Sequence, residues 1–162
     1  MLDGLAATQA GVPIQRSIDL LPSEGAAKIL GVAEISGTDV VLWVRGGVCQ
    51  VALLPDSLTE PTATAPTTVG APRPAGHAGS SDAHQEFPGT VLDGKYTAAS
   101  AQLQPFRFAT VGCSEKAMSV KIEGVGKSLP AKKSGDSLQL WREGQNAVLA
   151  VGLPEAIHGP DN

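Results

Sequence analysis

Short runs of β-branched and aliphatic residues, broken by glycine-containing steps, characterise the sequence after Gly31. VAEIS, DVVLWV and VCQVALL are separated by Ser36-Gly37 and by Arg45-Gly46-Gly47. Such steps supply the positive φ angles that tight hairpins need. Residues 31–54 are therefore predicted to form a three-stranded meander. VVLWV and VALL are nearly continuous apolar runs, so at least one of these strands should be buried on both faces.

The second half of the chain shows a similar pattern. PFRFATV at 105–111 alternates, which predicts that Phe106 and Phe108 share one face of a strand. SLQLW and AVLAVGL, at 137–141 and 147–153, predict a closing hairpin. The predicted fold is mainly β, with antiparallel hairpins that form a sandwich or small barrel.

The N-terminal 30 residues carry a different signal. LDGLAATQA at 2–10 predicts a short helix that Gly11 ends. Ser23 can cap a second helix that extends to Leu30. Both predicted helices are peripheral to the β structure.

The two Trp residues lie in similar contexts. Leu42-Trp43 and Leu140-Trp141 each follow a Ser-Gly step and precede a glycine-containing turn and a second apolar strand. The downstream Leu-Pro steps are offset by one more position than the Trp residues, which suggests one extra residue in the second turn. The pattern is typical of any Trp-containing hairpin, and it also fits two related β units.

Residues 55–89 are rich in Pro, Thr, Ala and Gly and contain few large apolar side chains. Such a composition favours an extended arm or linker, because it buries too little apolar surface to offset its ordering entropy. The predicted organisation is a β unit at 1–54, this arm at 55–89 and a second β unit at 90–162. We expect the arm to contact a neighbouring protein through five of its residues, Pro61, Pro66, Pro72, Pro74 and Phe87.

Composition and charge limit the classes of function that we expect for this chain. The formal net charge is −4, with four basic and nine acidic residues in 1–90 and eight basic and seven acidic residues in 91–162. Neither half is basic enough for general phosphate-backbone binding, so a nucleic-acid partner is not expected. Five lysines between positions 116 and 133 are a local exception that a solvated strand face explains (Lys116, Lys121, Lys127, Lys132 and Lys133).

The cellular location is predicted from the N-terminus and the cysteines. The chain begins without a positively charged and apolar leader, and no apolar run approaches the roughly 18 residues needed to cross a bilayer. A cytoplasmic or particle-assembled protein is therefore expected, or an extracytoplasmic one if a leader has been removed. Cys49 and Cys113 would be buried thiols in the cytosol and a disulfide between the two halves in an oxidising compartment.

Several strings partly match motifs that carry chemistry. Glu123-Gly124-Val125-Gly126-Lys127-Ser128 ends as a P-loop does, but Lys121 replaces the first glycine and Pro130 prevents the helix that should follow. His77, Asp82 and His84 could ligate a metal, although a linker rarely preorganises ligands. Ser119 and Lys121 share a strand face, and Cys113 lies near Lys116. None of these forms a complete catalytic set, so no enzyme activity, metal or cofactor is expected.

Three function hypotheses follow. The first is a non-catalytic structural or assembly subunit, such as a virion decoration or coat-associated protein, whose arm contacts neighbours in a homo-oligomer or larger assembly. The second is a binding module, extracytoplasmic and bridged through Cys49 and Cys113. The third is an enzyme that uses Cys113 or the His77 and His84 pair.

Overall fold

The computed structural model describes residues 27–45, 47–55, 67–72, 97–102, 106–114 and 117–152. Within these ranges the chain forms ten strands and no helix. The strands are β1 (Lys28–Ile35), β2 (Thr38–Arg45), β3 (Val48–Pro55), β4 (Thr67–Pro72), β5 (Thr97–Ala101), β6 (Phe108–Cys113), β7 (Ala117–Glu123), β8 (Ala131–Ser134), β9 (Leu138–Glu143) and β10 (Asn146–Gly152).

The strands form two five-stranded antiparallel sheets. Sheet 1 has the order β4-β3-β2-β1-β8, and sheet 2 has the order β5-β6-β7-β10-β9. β4 and β3 lie against β6 of sheet 2, and β8 and β1 lie against β9. The inward side chains of both sheets form one apolar cluster, here called the shared core, which includes Leu42, Val51, Val111, Val120 and Leu149. The mainly β, antiparallel prediction is confirmed, and the shared core makes the arrangement sandwich-like.

The predicted meander is confirmed as β1, β2 and β3. Ser36 and Gly37 have φ angles of 50° and 78° and join a two-residue hairpin in which Ile35 pairs with Thr38. Residues 38–44 of β2 are all buried, so this strand is covered on both faces as predicted. Two of its outward side chains, Val41 and Trp43, belong to a second apolar group, here called the outer cluster: Ile29, Val32, Val41, Trp43, Ala52 and Leu54.

The structure corrects the second predicted helix at its C-terminal end. Residues 28–30 belong to β1. Ile29 lies in the outer cluster and Leu30 in the shared core, so consecutive apolar side chains serve opposite faces of a sheet. The first predicted helix, at 2–10, lies outside the described residues, as do positions 23–26 of the second.

Two other local predictions need correction. Phe106 is buried in the shared core, whereas Phe108 opens β6 on the opposite face from the inward Ala109. The expected alternation fails because Phe106 and Arg107 form a bend before the strand begins. Within the segment interpreted as an arm, Thr67–Pro72 forms β4, which pairs with β3 and buries Val69.

The sheets do not follow the predicted division at 1–54 and 90–162. β8 comes from the second half of the sequence but pairs with β1 in sheet 1, where Ala131 opposes Glu34. The shared core draws side chains from both halves of the chain. Described strands from both halves of the chain therefore build one sandwich-like body.

The two Trp hairpins resemble each other in their strands and turns, but the Ser-Gly steps before them differ. In both hairpins the Leu faces the shared core and the Trp faces outward, and both turns have two residues, since Arg45 pairs with Val48 and Glu143 with Asn146. The expected extra residue in the second turn is therefore wrong. The preceding Ser-Gly steps also differ, because Ser36-Gly37 closes a hairpin whereas Ser134-Gly135 carries the chain from sheet 1 to sheet 2.

Candidate functional site

A disulfide joins the two sheets inside the shared core. Cys49 lies on β3 and Cys113 on β6, and their sulfur atoms are bonded. Both side chains are fully buried, and the Cα atoms are 5.8 Å apart. The two strands alternate so that each cysteine faces inward beside Val51 or Val111. The structure thus holds the bridged pair rather than the two buried thiols that a reducing compartment would favour.

Most of the residues predicted for the arm contacts, Pro61, Pro66, Pro74 and Phe87, lie outside the described residues. Pro72 ends β4 and is paired in register with Val48. Since β4 is an edge strand of sheet 1, a proline at its end needs no ladder partner on the outer side.

The loop Gly124–Pro130, here called the 124–130 loop, contains the string that resembles a P-loop. No helix follows it, because the chain enters β8 at Ala131. The guanidinium group of Arg142 donates hydrogen bonds to the carbonyl oxygens of Gly126 at 2.6 Å and Lys127 at 3.1 Å. A phosphate site needs converging N–H groups, whereas here carbonyl groups converge on a cation. This geometry agrees with the sequence-based rejection of a nucleotide site.

The 124–130 loop is fixed at several points. Val125 is buried in the shared core, and its N–H donates to the carbonyl oxygen of Gln145 at 3.0 Å. The hydroxyl group of Ser128 contacts that of Ser36 in the β1–β2 turn. Leu129 follows directly and is 71% exposed, and it is the exposed large hydrophobic residue of the described chain. The sandwich therefore displays this side chain on an anchored loop.

Three charged side chains, here called the charged trio, lie together on the outer face of sheet 1. Asp39 is 2% exposed, and the ammonium group of Lys133 donates to its two carboxylate oxygens at 3.0 and 3.3 Å. Glu34 pairs in register with Asp39 across β1 and β2, so both carboxyl groups are on the same face. The pairing satisfies a carboxylate that burial would otherwise penalise.

The lysine run is divided by the fold. Lys121 projects from the outer face of sheet 2, opposite the inward Val120 and Ile122. Lys132 and Lys133 lie on β8 in sheet 1, and Lys133 is engaged with Asp39. Lys116 lies outside the described residues. The four described lysines thus do not line up along one strand face.

The structure describes Ser119, Lys121 and Cys113 among the other residues predicted as catalytic or metal-binding candidates. Ser119 and Lys121 share the outer face of β7 as predicted, but Ser119 is fully buried, so this part of the face is not solvated. Cys113 is occupied by the disulfide. His77, Asp82 and His84 lie outside the described residues. The described part of the chain holds no group of three or more His, Cys, Asp or Glu residues placed to bind a metal.

The charged trio is the feature that the sequence did not reveal. Asp39 and Lys133 are 94 positions apart, and only the pairing of β8 with β1 brings them together. A register shift in that pairing, between Val32 and Ala33, leaves Lys133 as an extra residue of β8. Such a bulge redirects a side chain, and nothing local in AKKS predicts it.

No protein-family model, curated protein or solved structure matches this chain. No helix among the described residues is long and apolar enough to cross a bilayer. The functional proposal therefore depends on the geometry of the chain itself.

Proposed function

We propose that this chain is a non-catalytic binding module that acts in an oxidising, extracytoplasmic compartment. The disulfide between Cys49 and Cys113 is the observation that carries the proposal. Disulfides persist in oxidising compartments and are rare in the cytosol. The bond also occupies Cys113, which was the thiol candidate for catalysis, so that residue serves the fold rather than a reaction.

The string that resembles a P-loop also has a structural role. The 124–130 loop directs two carbonyl oxygens at Arg142, which also donates to the carbonyl oxygen of Gly144 at 2.6 Å. These bonds connect the loop to the β9–β10 turn. The string that most resembles a nucleotide site therefore stabilises the fold, because its carbonyl groups are bonded to Arg142.

The redox state of Cys49 and Cys113 tests the proposed compartment. Protein recovered from its own cells without reductant should be denatured, treated with iodoacetamide and weighed intact. We expect no alkylated cysteine, whereas the same sample reduced before alkylation should carry two adducts. Two adducts without reduction would contradict the proposed compartment.

A structural or assembly subunit, such as a virion decoration or coat-associated protein, is the second candidate. Leu129 favours it, because an exposed leucine on an anchored loop is ready to be covered by a neighbour at little cost in loop ordering. The neighbour would be another copy of the chain or another protein of the particle, and the prolines of the arm would extend the contact.

Size-exclusion chromatography with light scattering tests this second candidate. Wild type should form an oligomer, and Leu129→Asp should reduce its size. The matched control is Leu138→Asp, a fully inward position that should unfold the chain instead. Limited proteolysis separates the two effects, because a folded Leu129→Asp variant keeps a resistant β core. A monomeric wild type cleaved readily within 55–89 would contradict self-assembly.

A further inference from the structure

The contact between Lys133 and Asp39 has a geometry that suits a covalent bond as well as an ion pair. The carboxyl group of Asp39 is buried, with a side chain only 3% exposed, while Lys133 is 41% exposed. Leu54 of the outer cluster is paired in register with Asp39 on its other side. The carboxyl group therefore has an apolar neighbour and an amine at 3.0 Å.

The placement of the amine depends on the fold of β8. Lys133 lies on the edge strand of sheet 1, and its ammonium group reaches past β1 to a residue of β2. The register shift between Val32 and Ala33 makes Lys133 the extra residue that a bulge redirects.

Glu34 supplies a third group at the same place. It lies on β1, the strand between Lys133 and Asp39, and it is directly opposite Asp39 in register. Opposed side chains on one face have Cβ atoms about 5 Å apart, so Glu34 and Asp39 are direct neighbours on the outer face of sheet 1. An amine, a buried carboxyl group and an adjacent carboxylate are the groups that an amide condensation requires.

We propose that Lys133 and Asp39 condense to form an intramolecular isopeptide bond. The ammonium group of Lys133 first transfers a proton to the carboxylate of Asp39, which gives a neutral amine and a neutral acid. The Nζ lone pair then attacks Cγ of Asp39. Glu34 takes a proton from the nitrogen and delivers it to a departing hydroxyl group. Formation of the Nζ–Cγ bond gives a tetrahedral adduct, the Cγ–O bond of this adduct then breaks as one water leaves, and no oxidant or reductant is needed.

Two physical factors favour this condensation in the folded chain. Groups held in contact react with effective molarities on the order of 10⁵ M or more when well oriented. The exposed side of Lys133 gives the released water a direct path to solvent.

The bond would fasten the edge strand β8 to the centre of sheet 1. Residues 39 and 133 are 94 positions apart, and the disulfide closes a loop of 64 positions that is nested within that span. The two links would connect β2 with β8 and β3 with β6. Together they would close the sandwich covalently within sheet 1 and between the sheets.

Intact mass after reduction and alkylation tests the proposal. We expect the wild-type chain to be lighter by one water than the mass of its sequence with two alkylated cysteines, which is the full mass here, and a protease digest to give one branched peptide that contains Asp39 and Lys133. Lys133→Arg is the matched control, since it keeps the charge but cannot form the amide, and it should have the full mass of its own alkylated sequence. A wild-type chain of full mass would show that the contact is an ion pair only and would overturn the proposal.

Two variants provide further tests. Lys133→Arg separates the isopeptide bond from a loss of water elsewhere in the chain, and Glu34→Gln tests Glu34 as the proton carrier. A succinimide at Asp93-Gly94 also loses one water, but that loss would persist in Lys133→Arg and would map to a different peptide. Glu34→Gln should remain folded, as judged by circular dichroism, and should lose the cross-link or form it more slowly. Cross-linking of Glu34→Gln at the wild-type rate would overturn the role of Glu34 as the proton carrier.

Discussion

Cys49 on β3 and Cys113 on β6 are bonded across the shared core, with their Cα atoms 5.8 Å apart. One lies in the meander that opens the described fold and the other in the opposite sheet. The bond therefore restrains the two sheets directly, in addition to the apolar contacts between them. This relationship leads to the first prediction.

Removing the disulfide should lower the free energy of unfolding by about 4 kcal/mol, the value expected when a closed loop of 64 positions is released in the unfolded chain. The double variant Cys49→Ala, Cys113→Ala tests this by urea denaturation. Wild type measured with reductant is the matched control and should show a similar loss. A loss below about 1 kcal/mol would mean that the apolar contacts alone fix the two sheets.

Gly135 should tolerate alanine poorly. Its φ angle is 112°, and an added Cβ would lie 2.8 Å from the carbonyl oxygen of Leu30 and 2.9 Å from Cα of Gly31. We expect Gly135→Ala to destabilise the fold by about 3 kcal/mol, from backbone strain together with overpacking. Gly144→Ala is the matched control, with a φ of 63° and open space around the Cβ, and it should cost only about 1 kcal/mol. Equal losses in thermal denaturation would contradict the steric cause.

Two Ser-Gly dipeptides show how far the sequence could predict the fold. The Ser36-Gly37 hairpin could be predicted because strands on both sides carry strong local patterns and the turn needs two positive φ angles. Ser134-Gly135 has the same residues, yet it connects different sheets. That outcome depends on β8 pairing with β1, a long-range contact that a local pattern does not encode.

The candidate site was less predictable than the fold. Both cysteines could be identified as a pair, but the choice between thiols and disulfide depended on the compartment. The charged trio was not visible, because Asp39 stands just before an apolar run and Lys133 belongs to a run of lysines that looks like a solvated surface. Only the pairing of β8 with β1 brings these residues together.

Arg142 should be required for the order of the 124–130 loop. Its guanidinium group bonds three carbonyl oxygens, those of Gly126, Lys127 and Gly144. Arg142→Lys keeps the charge but loses the planar donor geometry, and hydrogen bonds of this charged kind contribute about 1.5–3 kcal/mol each at most. We therefore expect faster hydrogen exchange at the Ser128 amide, which donates to Val125 within the loop. An unchanged exchange rate of the Ser128 amide, measured against β7 amides as the internal reference, would contradict this role of Arg142.

The two Trp residues should report on different environments. Trp43 is fully buried in the outer cluster, and its indole N–H has no hydrogen-bond partner among the described residues. Trp141 is half-buried on the edge strand β9, and its indole N–H donates to Glu143 at 3.4 Å. Trp141→Phe should therefore leave a blue-shifted emission that acrylamide quenches weakly, because an apolar environment excludes both water and quencher. Trp43→Phe should leave a redder and more readily quenched emission. Red-shifted emission from both variants would show that the outer cluster around Trp43 is open to solvent. As a control, unfolding in urea should bring both variants to the same red-shifted maximum.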